Sequence, residues 1–290
     1  MRECRIIEKG REMTLMGKLQ VVTGGTSGMG LANAIELGKF GPVLVGGRSE
    51  KRLEGALEQL KAAGVEAYGK TCDVSDAGSV EEFAQYARSL GDIGSVVNAA
   101  GVDWEGVTPD MIIDVNMKGV VNTTETFLPY LDEGVMVHYS SITGYFYTPF
   151  AEDLAVWNDP TAVNFREKWK AAVAAGEHPK PSFLDDGYTY YAGSKRFVMY
   201  YTMANTVRFG KKGSRIFSIA PGSFDTPMLQ GGSTDKASIA ERTAFKRFGT
   251  PEEMADLVVK LMGPGHDYLT GCDIIMDGGK YAMSVVKQLD

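Results

Sequence analysis

Short apolar runs rich in Val, Leu and Ile alternate along the chain with longer stretches of helical spacing. Leu19 to Thr23 reads as a buried strand ending in glycines, and Gly28 to Phe40 as a helix. Pro42 to Val45 predicts a second strand, stopped by Gly46 and Gly47. Ser49 to Ala63 places Leu53, Ala56, Leu57 and Leu60 at helical spacing and stops at Gly64. Glu66 to Cys72 and Ser95 to Ala99 predict the third and fourth strands, with a helix from Val80 to Leu90 between them. Pro109 to Leu131 reads as one long helical stretch with Pro109 in its first turn. Val135 to Ser140, Arg215 to Ala220 and Asp273 to Met276 complete the strands, and Tyr190 to Phe209 and Pro251 to Met262 the helices. Strands alternating with helices predict an α/β fold: one doubly wound domain over residues 1–290, with a mostly seven-stranded parallel sheet.

One stretch breaks the alternation. Residues 145–187 lie between the fifth strand and the next helix, far longer than an ordinary loop. They carry a predicted helix, Ala162 to Ala175, and a Pro-rich exit, His178 to Pro181. Between Tyr145 and Tyr191 there are 11 aromatic residues in 47, or 23%, against 10% for the whole chain. That density suits either the lining of a large apolar pocket or a separate small core or subunit contact. Residues 1–16 read as an N-terminal extension.

Composition narrows the classes. The chain has 35 glycines in 290 residues, or 12%, well above the usual ~7%. With a hydrophobic fraction of 44% and 11 prolines it is neither a linker nor collagen-like. Many positions must therefore need positive φ or close backbone approach. The net charge of −7 argues against a nucleic-acid partner. No apolar run approaches the ~18 residues of a membrane span, and the charged start lacks the core of a signal peptide. Three scattered cysteines predict no disulfide framework and a cytoplasmic setting. Three scattered histidines predict no metal cluster.

The first strand runs into Thr23-Gly24-Gly25-Thr26-Ser27-Gly28-Met29-Gly30, followed by a helix. A strand, a glycine turn and a helix N-terminus form an anion site suited to a pyrophosphate. Gly24 turns the chain, Gly28 lets backbone approach phosphate, and Gly30 lets the helix sit close to the strand. An acidic residue ending the second strand would select NAD. Here Arg48 and Ser49 follow Gly47, and Arg48 suits a 2′-phosphate, so NADP is expected with NAD as the alternative. Further on, Tyr191 and Lys195 stand four apart, on one face of a helix. A phenol beside an ammonium can exchange a proton with an alcohol or carbonyl oxygen.

The Thr-Gly-x-x-x-Gly-x-Gly spacing, with Tyr191-Ala192-Gly193-Ser194-Lys195, resembles the short-chain dehydrogenase/reductase family. The resemblance extends from about Lys18 to Tyr281 and implies a Rossmann-type fold and hydride transfer with a nicotinamide cofactor. It implies that Asp73 and Val74 contact adenine, and that Asn98, Ala99 and Gly101 form the turn after the fourth strand, with Ala99 in place of the family's second Asn. Many members that use NADP carry a basic residue where Ser27 stands. The resemblance makes Ser141 the substrate-orienting serine, with Ser140 as runner-up, and Asn116 the support of a water linked to Lys195. Tyr191 and Lys195 also meet the cofactor ribose in this scheme, with Pro221, Gly222, Phe224 and Thr226 near the nicotinamide carboxamide.

The long insertion, the Tyr-Ala-Gly-Ser-Lys form and Thr226-Pro227-Met228-Leu229-Gln230 are most similar to the bacterial 3α-hydroxysteroid dehydrogenase/carbonyl reductase branch. This implies a hydroxysteroid or bile-acid substrate and a homodimer or homotetramer. The alternatives are a carbonyl or 3-oxoacyl reductase of smaller substrates, and a dinucleotide-binding sensor without catalysis.

Overall fold

The protein is described by a computed structural model over residues 15–176, 178, 186–230 and 236–286. Seven parallel strands form one sheet in the order β3-β2-β1-β4-β5-β6-β7. They are β1 (Leu19–Thr23), β2 (Val43–Gly47), β3 (Ala67–Thr71), β4 (Ile93–Asn98), β5 (Val135–Tyr139), β6 (Arg215–Pro221) and β7 (Asp273–Met276). The order reverses between β1 and β4, which leaves a crevice at the strand C-termini, where ligands bind in open α/β sheets. β1, β4, β5 and β6 are buried along their whole length, as expected of strands covered on both faces.

Two helical layers provide that cover. On one face α1 (Gly28–Leu37), α2 (Glu50–Ala62) and α11 (Pro251–Met262) bury Leu31, Leu53, Leu60, Met254 and Val258 against Val22, Val45 and Val137. On the other, α3 (Ala77–Leu90), the helical segment from Pro109 and the end of α8 (Asp186–Gly210) pack Phe83, Phe127 and Phe209 against Val21, Leu44 and Val96. Local sequence sets the helix starts. Asp76 caps α3 by accepting from Gly78 N at 2.8 Å. Thr250 and Glu253 close a reciprocal capping box on α11.

Several elements differ from expectation. β2 continues through Gly46 and Gly47 instead of stopping before them. At Gly46 a Cβ would lie 2.8 Å from the Phe83 ring, so this glycine admits α3 to the sheet and does not end the strand. The expected long helix from Pro109 is α4 (Pro109–Ile112), a π-helical turn (Ile113–Lys118) and α5 (Gly119–Phe127). The insertion holds an unforeseen helix, α6 (Ala151–Trp157), and its expected helix is α7 (Phe165–Ala175). Short helices α9 (Pro227–Gln230), α10 (Lys236–Ala240) and α12 (Lys280–Val286) were also not legible in the pattern. Most of the N-terminal extension and of the Pro-rich exit lies outside the described residues. Among the described residues no helix is long and apolar enough to cross a membrane.

Candidate active site

A cleft of about 370 Å³ opens at the C-terminal ends of β1, β2, β3 and β4. It brings together Gly24, Thr26, Ser27, Gly28, Met29 and Gly30 of the glycine turn, with Arg48 and Ser49 after β2. Asp73 and Val74 after β3, Ala99 and Gly101 after β4, and Thr226 after β6 complete the expected residues on its wall. The turn fits only glycine at two points. Gly24 has φ +67°, and a Cβ there would lie 2.5 Å from Ala100 N. A Cβ on Gly30 would lie 2.2 Å from Gly24 O, so α1 starts directly on the strand end. These approaches make the tight turn and the close helix–strand packing of a dinucleotide-binding turn, so the residues fit a dinucleotide.

Some of these residues also hold the local backbone, and the remaining expected residues lie off the wall. Ser49 caps α2, accepting from Arg52 N at 3.4 Å. Asp73 binds its own turn, accepting from Ser75 N at 3.0 Å and from Ser75 Oγ at 2.6 Å. Asn98 accepts from Thr23 Oγ1 at 2.6 Å, and its buried Nδ2 has no hydrogen-bond partner among the described residues. Pro221 ends β6, and Gly222 lies where a Cβ would be 2.6 Å from Asp277 Cα. Phe224 is a core residue rather than part of the cleft wall, because its ring fills the space over Gly249. Arg52, exposed on the cleft wall beside Arg48, was missed from sequence. Its only signal was its place four residues after Arg48, at the start of a helix.

The titratable centre lies where β5 meets α8. Tyr191 is 8% exposed and Lys195 7%, and Lys195 Nζ is 5.8 Å from the centre of the Tyr191 ring. Lys195 Nζ donates to Tyr139 O at 3.0 Å, at the very end of β5. The next two residues part company. Ser140 Oγ turns inward, 2.9 Å from Ile219 O and 2.7 Å from Asp273 Oδ1. The Ser141 hydroxyl lies near enough to the Tyr191 phenol to act on it, donates to Thr143 Oγ1 at 3.3 Å and accepts from Thr143 N at 3.2 Å. Of the two serines, Ser141 is thus the one that faces the phenol.

Asn116 sits in the π-helical turn and is 1% exposed. Its amide clamps Val102, accepting from Val102 N at 2.9 Å and donating to Val102 O at 3.0 Å. It also donates to Ser194 Oγ at 3.3 Å. A Cβ on Gly101 would lie 3.4 Å from Asn116 Oδ1 and 3.6 Å from Lys195 Nζ, so both polar atoms face that glycine.

The electrostatics differ from the simple Tyr–Lys expectation. Burial raises the Tyr191 phenol above its ordinary value, and the Asp103 carboxylate raises it further; the Ser141 hydrogen bond opposes both. Burial lowers Lys195 to about 8, with Asp103 pulling the other way. Asp103 itself is raised, chiefly by burial. The protein alone therefore keeps Tyr191 protonated. Asp103 and Trp104 were both missed from sequence. The Trp104 ring lies 5.1 Å from that of Tyr191 and 5.5 Å, edge-on, from that of Tyr188.

Residues 18–152 match the short chain dehydrogenase family, and residues 184–280 match a family described as enoyl-(acyl carrier protein) reductase. The chain belongs to the short-chain dehydrogenase/reductase family of oxidoreductases. Residues 153–183, the body of the insertion, fall between the two family matches. A short-chain dehydrogenase/reductase of Alternaria brassicicola is 28% identical over 273 residues, covering 92% of this chain and 97% of the relative. A 3-oxoacyl-acyl-carrier-protein reductase of Thermotoga maritima is 26% identical over 286 residues, covering 92% and 99%. The crystal structure of an actinorhodin polyketide ketoreductase variant with NADPH superposes with a TM-score of 0.70 at 25% identity, covering 92% of this chain and 98% of that one.

Four aromatics of the insertion do not line the cleft. Tyr147, Trp157, Phe165 and Trp169 are buried in a small core of their own against Phe197, Val198 and Tyr201 of α8. Of the two readings open from sequence, the separate core is the one that holds for these four. Tyr145 and Phe146 instead pack against Tyr281, at 5.0 and 5.6 Å.

Proposed function

We propose that the protein interconverts a ketone and a secondary alcohol on a bulky, ring-containing apolar substrate, with NADP(H). The observation that carries this reading is Tyr191 set between Ser141, which acts on its phenol, and the Trp104 ring 5.1 Å away. In reduction Tyr191 gives its phenolic proton to the carbonyl oxygen, which Ser141 orients; in oxidation it takes that proton back. Burial, which keeps the phenol protonated, suits the reductive direction. Lys195, held by Tyr139 O, carries the proton path onward past Asn116, and both side chains face Gly101. When bound, the nicotinamide supplies or accepts the hydride, and in its oxidised form a positive charge that favours phenolate. Arg48 and Arg52 on the cleft wall would hold a 2′-phosphate, and the ketoreductase neighbour was solved with NADPH.

Trp104 and Tyr188 form an apolar wall beside Tyr191, which favours a flat ring system over a flexible chain. A hydroxysteroid or bile acid is the substrate most consistent with that wall and with the Tyr-Ala-Gly-Ser-Lys and Thr-Pro-Met-Leu-Gln segments. The Thermotoga maritima relative's name supports a second reading, a 3-oxoacyl thioester.

The test offers NADPH and NADH with 3-, 7-, 12- and 17-ketosteroids, a bicyclic ketone and an acetoacetyl thioester. Reduction of ring ketones with NADPH is expected. Turnover of the thioester alone would remove the ring reading. Full turnover by a Tyr191→Phe variant would remove the assigned chemistry.

A further inference from the structure

The small core of the insertion is organised around one carboxylate. Asp153 of α6 is 0% exposed. Its Oδ1 accepts from Tyr147 OH and from Trp169 Nε1, each at 2.9 Å, and its Oδ2 accepts from Phe150 N at 2.9 Å. His178 Nε2 stands 3.6 Å from Oδ2, and the His178 ring stacks on Tyr147 at 4.4 Å. A buried carboxylate is costly unless its oxygens are filled, so these donors are held as firmly as they hold it.

Two of the donors reach the catalytic helix. A Cβ on Gly193 would lie 2.7 Å from Trp169 Cζ2 and 2.9 Å from Tyr147 Cε2. Gly193 is the midpoint of the turn that carries Tyr191 and Lys195. The neighbouring part of the turn is met by the segment that follows Ser141: a Cβ on Gly144 would lie 2.8 Å from Arg196 N and 2.9 Å from Lys195 C. The turn is thus seated between the insertion core and the Ser141 segment, with no slack at either glycine.

We propose that Asp153 is a positioning residue, which locks Tyr147 and Trp169 against Gly193 and so fixes the turn that carries Tyr191 relative to the Ser141 segment. The proposal rests on the reading of Tyr191 given above. Asp153 touches neither substrate nor cofactor; it acts through two rings on the backbone of the catalytic turn. In this protein the insertion is therefore part of the catalytic scaffold.

The test uses the full-length protein saturated with NADPH and the ketone of the panel above that it reduces fastest. In Asp153→Asn the amide group must turn a donor towards one of three donors, while the side-chain shape is kept. A misplacement of the reacting group costs up to about a hundredfold. The expected result is a kcat fall of roughly ten- to a hundredfold, with NADPH affinity by fluorescence titration held within about twofold. Tyr147→Phe keeps the ring and loses one donor, so kcat is expected to fall in the same direction by less, again at constant NADPH affinity. Combining the two variants should cost no more than Asp153→Asn alone. An unchanged kcat in Asp153→Asn overturns the proposal, as does a parallel loss of NADPH binding, which marks general loosening. Should Asp153→Asn not fold, the kcat of Tyr147→Phe decides in the same way. A dead Tyr191→Phe beside a fully active Asp153→Asn sinks this proposal and spares the chemistry of Tyr191. Turnover in Tyr191→Phe sinks that chemistry instead.

Discussion

Around the glycine turn backbone meets backbone, as at Gly30 and Gly24, whereas in the insertion ring meets ring, as at Trp157 with Trp169, 6.5 Å apart. Both regions serve the same site, and they converge on α8. The first gains its shape by leaving side chains out, because a dinucleotide needs the main chain within reach of its phosphates. The second gains its shape by side-chain volume, because a layer of two short helices has little backbone pairing of its own and must be held by burial. The family matches follow this division, covering the glycine region and stopping on both sides of residues 153–183. One region is constrained by close approach of backbone to backbone and the other by side-chain packing.

The comparison can be broken at either end. The largest effect is expected from Gly30→Ala, since the new Cβ would meet Gly24 O at 2.2 Å and neither side is a side chain that can move. No folded protein is expected by circular dichroism; a stable Gly30→Ala protein would mean that the turn is not limited by close approach. Trp157→Ala comes next. Trp157 is 1% exposed, and truncating a buried Trp costs about 3–5 kcal/mol, read by urea unfolding. NADPH affinity of the protein that remains folded should not change, which would show the two regions to be energetically separate.

A smaller effect is expected on cofactor choice. Arg48→Ala should weaken NADPH binding roughly ten- to a hundredfold, as for loss of a charge-assisted hydrogen bond, and leave NADH binding alone. Equal losses for both cofactors would remove Arg48 from the 2′-phosphate. The smallest effect concerns pH. Asp103 raises the pKa of Tyr191, so removing its charge lowers that pKa. The rising alkaline limb of alcohol oxidation should therefore move to lower pH in Asp103→Asn. A shift to higher pH would show that the carboxylate acts on Tyr191 by another route.

The sequence was legible where the signal is local. Strand and helix alternation, the turn from Gly24 to Gly30 and the Tyr191–Lys195 pair each lie within a few residues, so spacing alone carries them. The ends of β1, α11 and β7 were read correctly for the same reason. The π-helical turn at Ile113–Lys118 was not; it carries Asn116, whose partner Val102 lies 14 residues away. For the 11 aromatics from Tyr145 to Tyr191, spacing and composition carry the density but not the direction in which each ring points. Tyr147 and Tyr145 stand two residues apart, yet one joins the insertion core and the other packs on Tyr281.

By itself, then, the sequence determined a parallel α/β sheet, a glycine turn leading into a helix N-terminus and a phenol paired with an amine, because helical and extended periodicity place near neighbours without help from the rest of the chain. Only the tertiary structure decided which of two adjacent serines lies toward Tyr191, that Asp103 and Trp104 border it, and that Asp153 holds Tyr147 and Trp169, the rings that pack on Gly193. Those choices rest on contacts between segments brought together by packing, and burial then gives the few charges among them their effect.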